Sequence, residues 1–262
     1  MNRPLSPFDR ISRACFRSFA DLPGARLLQS DTIFGVMTDV PLSFFNGIAS
    51  SVFRNGDLLT AIDEARRPFL EVGRPFRWWI TPGTEPENLA PILAGLGMRH
   101  AYDALGMTAD LSALPSAPPE PAGISIEIVS DEETMRRWSA LLLDVFEAPP
   151  DDAAVWATTY ARLTAAGNAQ WTHFAAIAGG EIVASAAVLV AGDLAGIYHV
   201  ATHGDMRGRG LGAALTRRAM DTGRAAAATT AVLQASTLGE RVYRALGFTD
   251  GPLLSLYDWQ PV

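Results

Sequence analysis

GIYHVATHGDMRGRGLG, residues 196–212, is the stretch on which the reading of this chain turns. Gly196 to Thr202 reads as a strand, HGDM follows, and Arg207-Gly208-Arg209-Gly210-Leu211-Gly212 opens directly into a helical pattern. A strand, a glycine-rich turn and a helix N-terminus make an anion site. Backbone N–H groups converge outward, the helix dipole adds partial positive charge, and glycines let a bulky pyrophosphate approach the main chain without meeting a Cβ. Arg207 and Arg209 add charge. Alone, such a turn is equally compatible with a tight strand-to-helix connection. Other phosphate-binding frames fit less well. There is no G-x-x-x-x-G-K-[ST], and a dinucleotide turn belongs nearer the start of a domain, with an acidic residue about twenty positions on.

Working outward, the helix from Gly212 runs through Leu215 and Ala219 to about Ala228, and Ala231 to Ala235 is a buried strand. A last helix begins near Thr237, whose spacing to Glu240 is that of a capping box, and Gly247 can take the left-handed conformation at its end. Leu253 to Trp259 supplies a final strand. Upstream, Ile124 to Val129 is a short strand, and Ser130 with Glu133 predicts a capping box for the helix carrying Met135, Trp138, Leu141, Leu142 and Val145. A second helix covers Asp151 to Leu163, followed by strands over Thr172 to Ala178 and Ile182 to Val190.

Before Ile124, residues 115–123 (PSAPPEPAG) hold four prolines and no large apolar residue, a stiff solvated connector. The part before the connector contains a fainter copy of the chain's ending. FRWWITPGTEPENLAPILAGLGMRHAYDALGMTADL (76–111) parallels TAVLQASTLGERVYRALGFTDGPLLSLYDW (230–259), with LAGLGM against YRALGF. The repeat argues for two related domains. In the copy Leu93 stands where Tyr243 stands, and nothing between Thr32 and Pro75 resembles the turn at Arg207.

The 28 acidic and 21 basic residues give a net charge of −7, which repels phosphate backbones and anionic lipid. Nucleic acid and membrane are therefore not expected as partners. One cysteine, Cys15, can form neither an intrachain disulfide nor a cysteine-based zinc site, and no metal site is expected. The N-terminus lacks the apolar core of a secretory signal, and the longest apolar run, Ile182 to Gly192, is half what a membrane span needs. A cytoplasmic location is expected.

RGRGLG resembles the Q/R-x-x-G-x-G/A signature of the GNAT acetyltransferases, with Arg207, Gly210 and Gly212 on its fixed positions. Tyr243, Gly247 and Phe248 match that family's terminal Y-x-x-x-G-F. The resemblance covers roughly Ile124 to Trp259. It implies an α/β fold, an α+β mixed and mostly antiparallel sheet with splayed central strands flanked by helices. Two GNAT-like domains are expected, a degenerate one over 1–114 and a catalytic one over 124–262, joined by the 115–123 linker. It also implies acetyl-CoA (coenzyme A) as acyl donor. The pantetheine arm bonds between splayed strands Gly196 to Thr202 and Ala231 to Ala235, beside Val200 and Thr202. Arg207, Gly208, Arg209, Gly210, Leu211 and Gly212 hold the pyrophosphate. Ser236 occupies the place of an asparagine that contacts pantetheine in many relatives, and the helix after the turn ends in alanines where a glycine is usual.

The activity so implied is transfer of an acetyl group to a small-molecule or peptide amine by direct attack in a ternary complex, with Tyr243 as proton donor to the leaving thiolate. A non-catalytic acyl-CoA-binding regulatory module is the alternative. His199, His203, Tyr198 and Glu181 lie near the cofactor strand as candidate bases, as does a relayed water. Strand alternation puts Tyr198 on the face of Val200 and Thr202, and His199 on the other. Asp144, Glu147, Asp151 and Asp152 read more readily as solvated helix-end residues than as an amine site, and Trp78, Trp79, Trp138, Trp156 and Trp171 as core. A monomer or a homodimer fits equally.

Overall fold

The structure, a computed structural model, describes residues 4–54, 56–119 and 121–261. Met1 to Arg3, Asn55, Glu120 of the connector and Val262 lie outside it. In chain order the elements are α1 (Pro7–Ser18), β1 (Arg26–Gln29), β2 (Ile33–Met37), β3 (Gly47–Ser51), α2 (Leu58–Glu71), β4 (Phe76–Ile80), α3 (Leu89–Gly95) and β5 (Arg99–Asp110). Then come β6 (Ser125–Ile128), α4 (Glu132–Val145), α5 (Pro150–Ala165), β7 (Trp171–Ala178), β8 (Glu181–Ala191), β9 (Leu194–Thr202), α6 (Leu211–Ala225), β10 (Thr230–Ala235), α7 (Glu240–Ala245) and β11 (Thr249–Trp259). No helix among the described residues is long and apolar enough to cross a membrane.

Two compact units result: one comprises residues 1–104 and 252–262, the other residues 105–251. The units are thus not divided at the connector. The reason lies in the strands that close the two repeat copies. β5 carries Met107, Ala109 and the following Leu111 into the core of the second unit, where Leu105 to Asp110 pairs antiparallel with β10. The end of β11, Ser255 to Trp259, pairs antiparallel with β4 in the first unit. Each copy keeps its strand and helix and sends the end of its last strand elsewhere.

In the first unit the sheet runs β1-β2-β3-β4-β11, antiparallel except between β3 and β4. Its core gathers Ile62, Phe69, Phe76, Trp78, Leu89 and Leu93, with the Phe69 and Phe76 rings stacked at 4.5 Å. In the second unit the order is β5-β10-β9-β8-β7-β6, antiparallel except between β9 and β10. One face holds Phe174, Ala176, Ala184, Ala186 and Ile197 against Leu211, Leu215 and Ala219 of α6. On the other, Trp138 of α4 meets His173 of β7 edge-on at 5.0 Å.

Two helix starts differ from the spacing-based expectation. α4 is capped by Asp131 rather than Ser130. Its carboxylate accepts from Thr134 N at 2.8 Å and Thr134 Oγ1 at 2.7 Å, while Glu133 pairs with Arg136 at 2.6 Å. α7 has no side-chain cap. The Ser236 carbonyl takes the N–H groups of Gly239 (2.8 Å) and Glu240 (3.2 Å), and the Glu240 carboxylate pairs with Arg244 at 2.8 Å instead of reaching back to Thr237. Gly247 does close that helix in the left-handed region, at φ 93°.

Candidate functional site

β9 and β10 run parallel and paired only from Leu194↔Thr230 to Ile197↔Leu233. Beyond that point Tyr198 to Thr202 and Gln234 to Ala235 are not paired with each other. The cause lies on the other side of β9. Between the pairs Ala187↔Tyr198 and Ser185↔Ala201, one residue of β8 faces two of β9, a β-bulge centred on His199, which sits at φ 57°. The extra residue bends the strand and shifts its phase. Ser185, fully buried, holds the bulge by donating its hydroxyl to the His199 carbonyl at 2.9 Å.

The phase shift corrects the simple alternation. Tyr198 and His199 both lie against the Trp171 ring, at 5.3 and 5.8 Å, so they share the face under α4 and α5. Val200 and Thr202 are turned to the opposite face. A Cβ placed on Gly212 would stand 3.9 Å from Val200 Cγ1 and 4.0 Å from Thr202 Oγ1, so both side chains lie under the first turn of α6.

The glycine-rich turn begins at the end of this open edge. After a single 3-10 turn, Gly204–Met206, the chain enters Arg207 in extended geometry, and Gly208 (φ 76°) and Gly210 (φ 79°) are both left-handed. These two signs of φ aim successive peptide groups in a way that L side chains resist. A Cβ on either glycine would meet nothing within 4 Å, so the space over them is open. Arg207 Nε donates to the Thr202 carbonyl at 3.3 Å and ties the turn to β9, whereas Arg209 is exposed and has no ion-pair partner among the described residues. Leu211, the first residue of α6, is buried beneath. The cradle thus presents backbone N–H groups, one tethered and one free guanidinium, and a helix start, a fit for a diphosphate.

On the β10 side, Ser236 is exposed at the start of the turn leading to α7. Tyr243 lies over that turn. A Cβ on Gly239 would fall 2.6 Å from Tyr243 Cε2, so only glycine leaves room for the ring there, and Phe248 meets it edge-on at 5.9 Å. The side chain is 8 % exposed, and its Oη has no hydrogen-bond partner among the described residues. Burial pushes the phenol up to about 12, so it keeps its proton at neutral pH.

Across the sheet, the His199 imidazole is boxed by Trp138 (5.6 Å), Trp156 (5.4 Å), Tyr160 (5.9 Å) and Trp171. Both its nitrogens are shielded from solvent. His173 belongs to the same cluster, 4.5 Å from Tyr160, and its Nε2 is buried without a partner. Desolvation lowers His173 to about 3, and lowers His199 well below its usual value, with His173 adding to the effect. Both rings are therefore neutral at pH 7. The other named bases are placed differently. His203 is exposed, its Nδ1 accepting from Asp205 N at 3.3 Å, and Glu181 faces solvent beside Arg137 at 3.3 Å. Asp144, Glu147 and Asp151 are exposed, and Asp152, half-buried, is raised by desolvation and then by Asp151. Trp78, Trp79, Trp138 and Trp156 are core, and Trp171 is half-buried.

The histidine pair predicts an acid sensitivity with a definite sign. Above about pH 6.5 both the folded and the unfolded chain hold neutral imidazole, and the pair has no effect on stability. Below it the unfolded chain binds protons that the folded chain refuses, so stability falls by about 1.4 kcal/mol per pH unit for each histidine. His173→Phe is expected to shed its share of that slope between pH 6.5 and 5, read from denaturant midpoints. Superimposable pH profiles for the two proteins would contradict the assignment.

The first unit has the same departure of strands with a different outcome. β3 and β4 pair in parallel only at Gly47↔Arg77 and Ile48↔Trp78. There the chain fills its own gap. Glu85 N donates to the Ser51 carbonyl at 3.0 Å, Phe53 N donates to the Glu85 carbonyl at 2.9 Å, and Trp78 Nε1 donates to Ser51 Oγ at 3.1 Å. Arg54 clamps the Glu85 carboxylate through Nε (2.7 Å) and Nη2 (3.0 Å). At the start of α2 the Asp57 carboxylate accepts from Leu59 N at 3.1 Å and Thr60 Oγ1 at 2.7 Å, which places a negative charge where an anion would have to sit. Leu93, at the Tyr243 position of the repeat, is fully buried core.

Residues 135–248, inside the second unit, match the model of the acetyltransferase (GNAT) family. No curated protein sequence matches the chain. Among solved structures it is similar to a GCN5-related N-acetyltransferase from Kribbella flavida, at 21% identity over 99% of this chain and 97% of that one, with a TM-score of 0.72. It is also similar to a GCN5-related N-acetyltransferase from Sphaerobacter thermophilus (18% identity, 98% and 94% covered, TM-score 0.60). A tandem GNAT protein from the clavulanic acid biosynthesis pathway aligns as well (14% identity, 99% and 98% covered, TM-score 0.60). At these identities the likeness is one of fold.

Proposed function

We propose, from the membership of residues 135–248 in the acetyltransferase (GNAT) family, that this chain moves an acetyl group from acetyl-CoA to an amine by direct attack in a ternary complex. The observation that carries the reading is the parting of β9 from β10 after Ile197 and Leu233, with the glycine-rich cradle at one end of the open edge. In this reading the main chain around Val200 and Thr202 bonds the pantetheine amides, and the turn from Arg207 to Gly212 holds the diphosphate. Ser236 flanks the arm. Acetyl-CoA supplies an activated thioester. The open β9 edge orients its carbonyl, and a main-chain N–H there stabilises negative charge on the oxygen. Tyr243 Oη holds a proton toward the sulfur as it leaves. Since the gap of the first unit is filled by Glu85 and its helix start by Asp57, one acyl-CoA binds per chain.

Isothermal titration with acetyl-CoA, together with thiol release over a panel of amines, tests the proposal. Binding at one site per chain with amine-dependent thiol release is expected. Binding without such release would make the chain an acyl-CoA-binding regulatory module, and no binding would end the reading. Gly210→Ala is expected to weaken acetyl-CoA binding about tenfold, since holding an L residue left-handed costs roughly 1–2 kcal/mol that the cradle must supply. Unchanged affinity in that variant would take the turn out of the site.

A further inference from the structure

A cavity of about 630 Å³ in the second unit has no part in the acyl-transfer reading. It lies at the far end of β10 from the parted strands: Thr230, which lines it, opens β10, and Ala235 closes it, a span of about 17 Å in an extended strand. Its size is that of a small-ligand site, for which volumes of about 300–1,000 Å³ are usual. The walls are the end of β5, the turn through Ala113 and Leu114, the entry to β10, and Gly247 with Thr249 after α7. They are tied to one another. Leu111 N donates to the Thr229 carbonyl at 2.9 Å, Thr229 N and Thr230 N donate to the Asp193 carbonyl at 2.9 and 3.1 Å, and Thr249 Oγ1 donates to the Thr108 carbonyl at 3.2 Å. The cavity therefore has its shape before a ligand arrives, which lowers the ordering cost of binding.

Its chemistry follows from the β5–β10 register. Thr108 and Asp110 alternate onto one face of β5, and Thr230 stands opposite Asp110, so three polar side chains share that face. Ala109, between them, turns into the core. Asp110 Oδ1 accepts from Ser112 Oγ at 2.7 Å and from Ser112 N at 2.8 Å, two bonds that orient the carboxylate and hold it below the usual carboxylate range. Its Oδ2 and the hydroxyls of Thr108 and Thr230 have no hydrogen-bond partner among the described residues. The lining contains no cationic side chain, and Ala113 and Leu114 add a short apolar stretch. An anion would be repelled here. An oriented carboxylate oxygen beside two unengaged hydroxyls, with no cation competing for it, suits an ammonium group whose neighbouring carbons carry hydroxyls.

We propose that this cavity is a second ligand site of the chain, taking a polyhydroxylated primary amine with its ammonium on Asp110 Oδ2 and its hydroxyls on Thr108 and Thr230. No bond is made or broken there. The site stands independently of the acyl donor and of the place where an acceptor amine meets it.

Glucosamine is the probe, at about pH 6.5 where its amine is charged, and the threonine methyl resonances of the full chain are the readout, because Thr108 and Thr230 then report on their own cavity. Glucosamine is expected to shift both methyls along one saturable curve. It binds about three- to fivefold tighter than glucose, which lacks the ammonium, the range for one exposed charge pair. Asp110→Asn keeps an acceptor for the two Ser112 bonds and removes the charge, so it brings glucosamine down to the level of glucose and leaves glucose unchanged. Thr230→Val, of the same shape without the hydroxyl, weakens both sugars. Still methyls at 108 and 230, equal affinity for the two sugars in the native protein, a preference that survives Asp110→Asn, or native affinities in Thr230→Val overturns the proposal. Shifts confined to Thr202, under the first turn of α6, would put glucosamine at the acyl-transfer site instead and overturn it as well. None of these outcomes bears on acetyl-CoA as donor, which its own titration decides.

Discussion

Replacing Tyr243 by phenylalanine lowers kcat about 10- to 100-fold, the worth of one hydrogen bond to a charged group, and leaves the affinity for acetyl-CoA unchanged. The phenol, at about 12, is a poor proton donor by equilibrium standards, and a thiolate of pKa about 8.5 is too weak a base to strip it. Its contribution is therefore a hydrogen bond that strengthens as charge builds on sulfur, which affects the transition state and not the bound ground state. Stability is expected to hold. Oη has no hydrogen-bond partner to orphan among the described residues, and phenylalanine fills the same space beside Gly239 and Phe248. Turnover equal to that of the native enzyme would leave Tyr243 as packing alone, and a parallel loss of acetyl-CoA affinity would make it a binding group.

The largest expected loss of stability comes from adding one methyl group, in Gly223→Ala. On an exposed helix this change gains about 1 kcal/mol from helix propensity. Here a Cβ would lie 2.4 Å from Ala195 Cβ and 3.7 Å from Leu111 Cδ1, where α6 crosses β9. The nearer atom is attached to the backbone of a central strand, so no rotamer can yield, and helix and sheet must separate. Overpacking of this kind costs roughly 1–3 kcal/mol and occasionally more, so a net loss of about 2 kcal/mol is expected in urea midpoints. Ala195→Gly on top of Gly223→Ala removes the opposing methyl and should recover most of the loss. No recovery in the double variant would mean that the close approach of α6 to β9 is not what glycine serves at 223.

Much of this arrangement can be read from residues in order. The glycine spacing after Thr202, the apolar periods of α4 and α6, and the repeat that sets LAGLGM against YRALGF mark out elements where they occur. Three features escape such reading, each because it depends on a partner elsewhere in the chain. The bulge at His199 has no local marker, since histidine rarely adopts positive φ, and it is made by a hydroxyl of β8 and an aromatic box from α4, α5 and β7. Period-two alternation then puts Tyr198 on the wrong face. The sealing of the first unit's gap relies on main-chain bonds of Glu85, to which side-chain patterns are blind. The destination of β5 and β11 is equally hidden, because alternating apolar residues specify a buried strand and not which sheet receives it.

That destination governs how the protein can be made. While the ribosome is still adding residues 105–251, the first unit has β4 but lacks Ser255 to Trp259, the stretch that pairs with it. Through that interval one flank of Phe76 to Ile80 stands as a bare ribbon of amides next to large aromatic rings, the kind of surface on which nascent chains stick to one another. The second unit meets no such delay, because Leu105 to Asp110 is synthesised long before β10 arrives to join it. The domain nearer the start of the message is thus the last to be finished, and chaperone demand during synthesis should fall on it.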